Sequence, residues 1–256
     1  MTTAPSNSDK KLSNQRALIA VALICLACFL SVALTRGYFT GLNASVNEWA
    51  VGIQTDGLTQ TATFVADRFD TTFLLAVSVP VFCLLMYMRQ FRGGILLAGA
   101  MCLDAVLLQL SKIMIVSPRP LNCIVVEGDY SFPSGHVTST IVFFGTLTYI
   151  AWQNRSLILK ACFGALTPAV AVCVGFDRLY LNAHWLSDVL AAPFLAVFVI
   201  ATSILIVQQL TRWYKKRKFK AALGGASSPL NLRGQVLNGR AITPPSLHSI
   251  SRRRKQ

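Results

Sequence analysis

The sequence predicts an all-α fold, an integral membrane bundle of six transmembrane helices with a site at its extracytoplasmic edge. Three observations lead there. The chain of 256 residues is 54% hydrophobic and only 13% charged, about half the charged share of an ordinary soluble domain. Its mean hydropathy is +0.54. The apolar residues are gathered into long runs near the ~20 residues that cross a hydrocarbon core, with polar or Pro/Gly-containing stretches between them.

The first sixteen residues are polar, with Lys10, Lys11 and Arg16 just ahead of the first apolar run at 17–34. A cleavable signal peptide competes for this run, because a basic start, an apolar stretch and the small residues Ser31 and Ala33 are all present. The near-spanning length favours a retained helix. Residues 36–70 form a polar connection, with a weak signal for a short interfacial helix at 44–53. The second span is 71–88; Pro80 inside it is tolerable where neighbouring groups satisfy the freed carbonyl. Arg89 and Arg92 make a basic turn.

The third span, 94–116, holds Asp104, Gln109 and Lys112. Ionisable groups in a span are costly and point to function, although a hydrogen bond to a neighbouring helix would equally account for Asp104, and Lys112 can snorkel from the helix end. Ser117-Pro118-Arg119-Pro120 breaks this helix. The fourth span opens with Pro133-Ser134-Gly135-His136 and runs to Trp152. A helix starting near His136 aims free N–H groups and a positive dipole end at that turn, which is an anion site. A polar turn at 153–155, a fifth span at 156–176 with Lys160 and Pro168, a polar link at 177–184 and a sixth span at 185–210 complete the membrane domain, residues 17–210.

Basic residues mark the N-terminus, the turns at 89–92 and 153–155, and the tail, whereas the 35–70 and 120–135 connections are mixed or acidic. The positive-inside rule therefore places both termini in the cytoplasm and the connections 35–70, 117–135 and 177–184 outside. Six of the seven cysteines lie in apolar runs, which is no disulfide framework. Cys25 and Cys28 share a CxxC spacing but sit in an apolar helix, where they read as small hydrophobes.

The tail, 211–256, carries twelve Lys/Arg and no Asp or Glu, nearly the whole formal charge of +14. It is too basic and too rich in Gly, Ser and Pro to bury a core, so disorder is expected beyond the juxtamembrane stretch. Arg212, Lys215, Lys216, Arg217, Lys218 and Lys220 follow the sixth span directly. They read as contacts to anionic headgroups, at about 1 kcal/mol per charge, or only as the orientation signal. Trp213 and Tyr214 suit interfacial anchors. Nothing in the tail resembles a folded nucleic-acid reader.

The chemistry gathers in three clusters on the outer edge: Lys112 with Arg119-Pro120, then Pro133-Ser134-Gly135-His136, then Arg178, His184 and Asp188. His184 and Asp188 are four apart and share a helix face if the sixth helix begins near His184. A carboxylate accepting from one imidazole nitrogen fixes the tautomer and leaves the other nitrogen basic, as a nucleophile or base. His136 is a second imidazole placed to act as the acid. Two guanidinium forks and an ammonium suit the oxygens of a phosphoryl group. A zinc site from His136, His184 and Asp188 is disfavoured by the three cations around it.

Taken together, Lys112-x6-Arg119-Pro120, Pro133-Ser134-Gly135-His136 and Arg178-x5-His184-x3-Asp188 resemble the signature of the type 2 phosphatidic acid phosphatase family, part of the acid phosphatase–vanadium haloperoxidase superfamily. The resemblance implies a metal-free, cofactor-free membrane lipid phosphatase. In it His184 attacks phosphorus, Asp188 orients His184, and His136 protonates the leaving oxygen and then activates water. Lys112, Arg119, Arg178 and the backbone at Ser134 and Gly135 hold the phosphoryl oxygens. It also implies a lipid phosphate or diphosphate as substrate, with undecaprenyl diphosphate first, phosphatidylglycerophosphate and phosphatidate next, and a lipid phosphotransferase as a further alternative. A non-catalytic binder of anionic lipid is disfavoured by the intact His136, His184 and Asp188. One position departs from the family pattern: Asp177 stands where a serine precedes the arginine. An ionised carboxylate repels phosphate, so Asp177 is expected to turn away, to pair with Arg178 or Lys112, or to alter substrate handling.

Overall fold

The computed structural model describes residues 6–153 and 156–226. The expected basic turn at Arg155 and the expected disorder of the tail beyond 226 lie outside the described residues. Eight α-helices are found among the described residues: α1 (Asn7–Thr35), α2 (Thr40–Gly52), α3 (Asp56–Phe69), α4 (Thr71–Tyr87), α5 (Phe91–Met114), α6 (Gly135–Trp152), α7 (Leu157–Tyr180) and α8 (Leu186–Ala226). The fold class is all-α, as the apolar runs predict. The chain divides after Gln209 into two units.

All six expected spans are helical, yet they differ as membrane elements. Four segments are long and apolar enough to cross: 12–52, α5, α7 and α8 from 186 to 221. A fifth arises if α3 and α4, bent by 51° at their junction, count as one broken span. The protein is a multi-pass membrane protein. The segment 12–52 has 41 residues, which at 1.5 Å per residue is about 60 Å, twice a hydrocarbon core. Only part of it can lie in lipid.

The helix α6 is not among those segments. It carries Ser, Thr and His among its apolar residues, and every residue from Gly135 to Phe143 is buried. Packing by α4, α5 and α7 around it makes it the centre of the bundle. His136, Thr138, Ser139 and Thr148 therefore find protein partners, and the sequence of α6 need not match lipid. Val137, Ile141, Val142 and Phe143 of α6 join Leu97, Met101 and Leu108 of α5, Val174 of α7, and Ala191, Leu195 and Val199 of α8 in one core. Phe29 of α1 reaches the same core and packs its ring 5.6 Å from that of Phe132.

The connection expected at 36–70 is more structured than its polarity suggests. Only the 3₁₀ turn at Arg36–Phe39 and the short link before Asp56 interrupt two helices, α2 and α3. The reason is a narrow inward stripe of small residues. Ala62 and Ala66, one turn apart on α3, bury against Tyr180, Leu181 and Ala183 at the end of α7. Asp70 then ends α3 and caps α4 by accepting from the Thr72 backbone N–H at 2.8 Å. The excursion thus forms a buttress for the segment that carries His184. In the second unit, the guanidinium of Arg217 lies 4.3 Å from the Trp213 ring and the ammonium of Lys218 5.3 Å from the Tyr214 ring.

Candidate active site

Four pieces of chain meet at one end of the bundle. The end of α5 supplies Lys112, the loop 115–134 supplies Arg119, the start of α6 supplies Gly135 and His136, and the junction of α7 with α8 supplies Arg178, His184 and Asp188. Lys112, His136, Arg178, His184, Asp188 and Ser134 are all buried. The candidate site residues of the three motifs are gathered into one place.

The helix α8 begins at Leu186, so His184 lies in the connecting turn instead of on the helix. Asp188 remains its neighbour, as an approach and not a hydrogen bond: His184 Nδ1 has no hydrogen-bond partner among the described residues. Asp188 is held by the Trp185 backbone N–H at 3.0 Å and approaches His184 Nδ1 to 3.5 Å through Oδ2. The Nε2 side of the ring faces Arg119, whose Nη1 donates to it at 3.3 Å. A guanidinium can only donate, so Nε2 carries the lone pair and the proton resides on Nδ1, toward Asp188. Burial holds the His184 imidazole well below its ordinary pKa, and the charges of Arg119, Lys112 and Arg178 add to the effect. The ring is neutral, with a basic nitrogen aimed into the cation cluster.

The turn that carries His184 is tied down from both sides. Asn182 adopts a positive φ of 51° and accepts at 2.7 Å from Asn47 of α2. Asn43 of α2 donates to the Ser187 hydroxyl at 3.2 Å and accepts from the Ser187 N–H at 3.1 Å. Tyr180 anchors the start of the turn, its hydroxyl accepting from the Thr55 N–H at 3.0 Å. Sequence reasoning missed these partners. They lie more than a hundred residues away in the chain, and nothing local distinguishes Asn43 or Asn47.

His136 presents Nε2 to Arg178 Nη1 at 3.2 Å, again as acceptor, and to Asp70 Oδ1 at 3.9 Å. At the mouth of α6, Ser134 is the N-cap residue with no side-chain capping bond, and its buried Oγ has no partner among the described residues. The first N–H groups of α6 and this hydroxyl are thus available donors. Gly135 is the close-approach point: a Cβ there would come 3.1 Å from Thr71 Oγ1 and 4.0 Å from Lys112 Nζ. A cleft of about 290 Å³ opens beside Gly135, lined by His136, Lys112, Asp70, Thr71, Glu127 and Asp129 among others.

Asp177 pairs with Arg178, one of the three expected arrangements. Its Oδ2 accepts from Arg178 Nε at 3.0 Å and from Nη2 at 2.6 Å. Lys112 does not snorkel; it is buried and donates to Asp129. Asp104 accepts from Ser139 Oγ of α6 at 2.6 Å, the interhelical hydrogen bond expected as its structural role. Ser139 also reaches Thr71 Oγ1 at 3.0 Å.

Two carboxylates of the 115–134 loop enter the cluster and were not among the site residues read from the sequence. Glu127 accepts from Arg119 Nη2 at 3.1 Å and from Arg178 Nη1 at 3.3 Å. Asp129 accepts from Lys112 and from Arg119 Nη2, while its backbone carbonyl accepts from Arg119 Nε at 3.0 Å. Partial burial would raise the Asp129 pKa, but Lys112 and Arg119 outweigh it and hold the carboxyl below its ordinary value. The available signal was the acidic character of the 120–135 connection directly opposite three cations.

Residues 93–212 match the model of the PAP2 superfamily, a segment that includes Lys112, Arg119, Ser134, Gly135, His136, Arg178, His184 and Asp188. The chain is 25% identical over 173 residues to phosphatidylglycerophosphatase B of Bacillus subtilis, covering 66% of this chain and 85% of that protein. It is 30% identical over 138 residues to an undecaprenyl-diphosphatase of Sulfolobus acidocaldarius, covering 51% of this chain and 63% of that one. The crystal structure of a transmembrane PAP2-type phosphatidylglycerolphosphate phosphatase from Bacillus subtilis superposes with a TM-score of 0.67 at 22% identity, over 75% of this chain and 96% of that one. This last likeness establishes the shared fold.

Proposed function

We propose, for a chain whose residues 93–212 match the model of the PAP2 superfamily, that it is a membrane lipid phosphatase working through a phosphohistidine, with undecaprenyl diphosphate as its substrate. The observation that carries this reading is the set His184, Asp188, His136, Lys112, Arg119 and Arg178 at one end of the bundle, with His184 Nε2 facing the cations. Phosphoryl transfer needs mainly positioning and charge stabilisation, and this set supplies both. Lys112, Arg119, Arg178, Ser134 and the Gly135 backbone hold the phosphoryl oxygens. His184 Nε2 attacks phosphorus as the bond to the leaving oxygen breaks, and His136, which takes up a proton at Nε2 once the phosphoryl group draws Arg178 away from it, delivers that proton to the leaving oxygen. In the second step His136 takes a proton from water, whose oxygen attacks phosphorus and breaks the P–N bond. Inorganic phosphate and free His184 result. Asp188 holds the Nδ1 proton and stabilises the charge that grows on the ring.

The basic turns and tail support an orientation with both termini cytoplasmic and the site extracytoplasmic, and all six spans cross in this reading. A cysteine placed near Glu127 should then react with an impermeant reagent from outside, and one near Arg155 should not; the reverse pattern removes this topology.

The lipid assignment draws on the undecaprenyl-diphosphatase among the similar proteins. The phosphatidylglycerophosphatase similarity favours phosphatidylglycerophosphate as the second candidate. The test is phosphate release by purified protein in detergent from undecaprenyl diphosphate, phosphatidylglycerophosphate and phosphatidate, with and without a second lipid as acceptor. Highest kcat/KM on undecaprenyl diphosphate with free phosphate as product is expected. Transfer of the phosphoryl group to the acceptor would make the protein a phosphotransferase.

A further inference from the structure

The cleft beside Gly135 runs down one side of α5. Lys112, Gln109, Leu108 and Ala105 all line it. At 1.5 Å of rise per residue, Gln109 lies about 4.5 Å below Lys112 and Ala105 about 10 Å below it, toward the middle of the bilayer. Along that direction the wall passes from a cation to a neutral amide and then to apolar surface. The same order of polarity belongs to a lipid whose phosphate is held at Lys112 and whose chain points into the membrane.

No contact within the protein accounts for Gln109. It lies in the membrane-spanning helix Phe91–Met114. Its side chain is exposed, and its carboxamide makes no hydrogen bond among the described residues. A polar group at this depth is costly unless it finds a partner. The hydroxyls on the facing wall are already engaged, Thr71 with Ser139 at 3.0 Å and Thr72 with Asp70. We propose that Gln109 is a specificity-determining residue that binds the inner phosphate of a lipid diphosphate, the phosphate that stays on the lipid when the outer one is transferred. The inference rests on reading Lys112, Arg119 and Arg178 as the cations that hold the outer phosphate.

The chemistry of the amide fits this ligand. With the outer phosphate on the cations, the next group along the lipid falls beside Gln109. In a diphosphate that group carries one negative charge shared by two oxygens, and an amide N–H donates to such an oxygen in a charge-assisted hydrogen bond. The donor is neutral, so the departing lipid monophosphate has no further ion pair to break. Below the amide, Leu108 and Ala105 offer no hydrogen-bonding side chain. A single prenyl chain needs none. A glycerolipid places its ester groups at that level, where their oxygens would lack donors.

The test uses full-length protein in detergent and two prenyl ligands that cannot be cleaved, farnesyl methylenediphosphonate and farnesylphosphonate, with binding read by thermal stabilisation. The wild type should bind the diphosphonate about tenfold more tightly or better, and equal binding of the two overturns the proposal. Gln109→Met keeps the length of the side chain and removes the amide. It should weaken diphosphonate binding about tenfold and change phosphonate binding by less than about twofold. An unchanged ratio, or an equal fall for both ligands, overturns the proposal. Should Gln109→Met fail to fold, Gln109→Leu carries the same test with the same two outcomes. A phosphonate analogue of phosphatidate should behave as farnesylphosphonate does; a loss equal to that of the diphosphonate would assign the amide to any polar link and overturn the proposal. Binding is read without turnover, so absence of phosphate release from every lipid would count against the phosphatase reading while the ratio still judges Gln109.

Discussion

The two histidines have similar neighbours and different surroundings. Each offers Nε2 to an arginine, at 3.3 Å for His184 and 3.2 Å for His136, and each has a carboxylate nearby. The carboxylate of His184 is Asp188, 2% exposed in its side chain and fixed to the adjoining turn. The carboxylate of His136 is Asp70, 40% exposed and 3.9 Å away at the mouth of the cleft. An enclosed ring with a fixed partner and a basic nitrogen suits attack in one geometry. A ring beside an open cleft suits exchange of protons with a leaving group and with water. The exposure of the partner carboxylate, more than the chemical identity of the neighbours, separates the two proposed roles.

Substitutions can break this contrast. His184→Ala should lower phosphate release by at least about 10³-fold while the protein still inserts and folds, since loss of a nucleophile is not replaced by its neighbours. Near wild-type release would end the mechanism. His136→Ala should cost about 10²–10³-fold, most with the poorest leaving groups, as shown by comparing alkyl and aryl phosphate esters. A uniform loss across leaving groups would place His136 in binding instead. Asp188→Asn should cost about 10²-fold in kcat with little change in KM, because the asparagine no longer fixes the tautomer.

The smaller effects sharpen the contrast. Asp70→Asn keeps the capping oxygen of α4 and should lower kcat only a few-fold, in keeping with the ~1 kcal/mol upper range of a half-exposed ion pair. A loss as large as that of Asp188→Asn would erase the difference between the two sites. The last effect is on stability. The folded His184 binds its proton well below the ordinary imidazole value. As pH falls through about 6.5, the unfolded chain therefore takes up this proton first. The stability contributed by the neutral ring is present above that pH and declines below it. His184→Gln should lose less thermal stability than wild type between pH 7 and pH 5 in detergent, and parallel curves would show that the ring is not held neutral.

The local sequence was enough to establish the all-α class, the six helical runs and the gathering of Lys112, Arg119, His136, Arg178, His184 and Asp188, because apolar runs, Pro-containing breaks and motif spacing are written in neighbouring residues. It was not enough to tell that α6 is the protein-lined centre, that α7 has only 6% of its apolar window buried, or that α2 and α3 buttress the His184 turn through Asn43, Asn47 and Ala62. It also did not reveal that Glu127 and Asp129 occupy the cation cluster or which partner Asp177 takes. These depend on contacts between segments distant in the chain. A carboxylate's partner is settled by which cations the fold brings within reach and how much water remains between them, and only the packed bundle decides both.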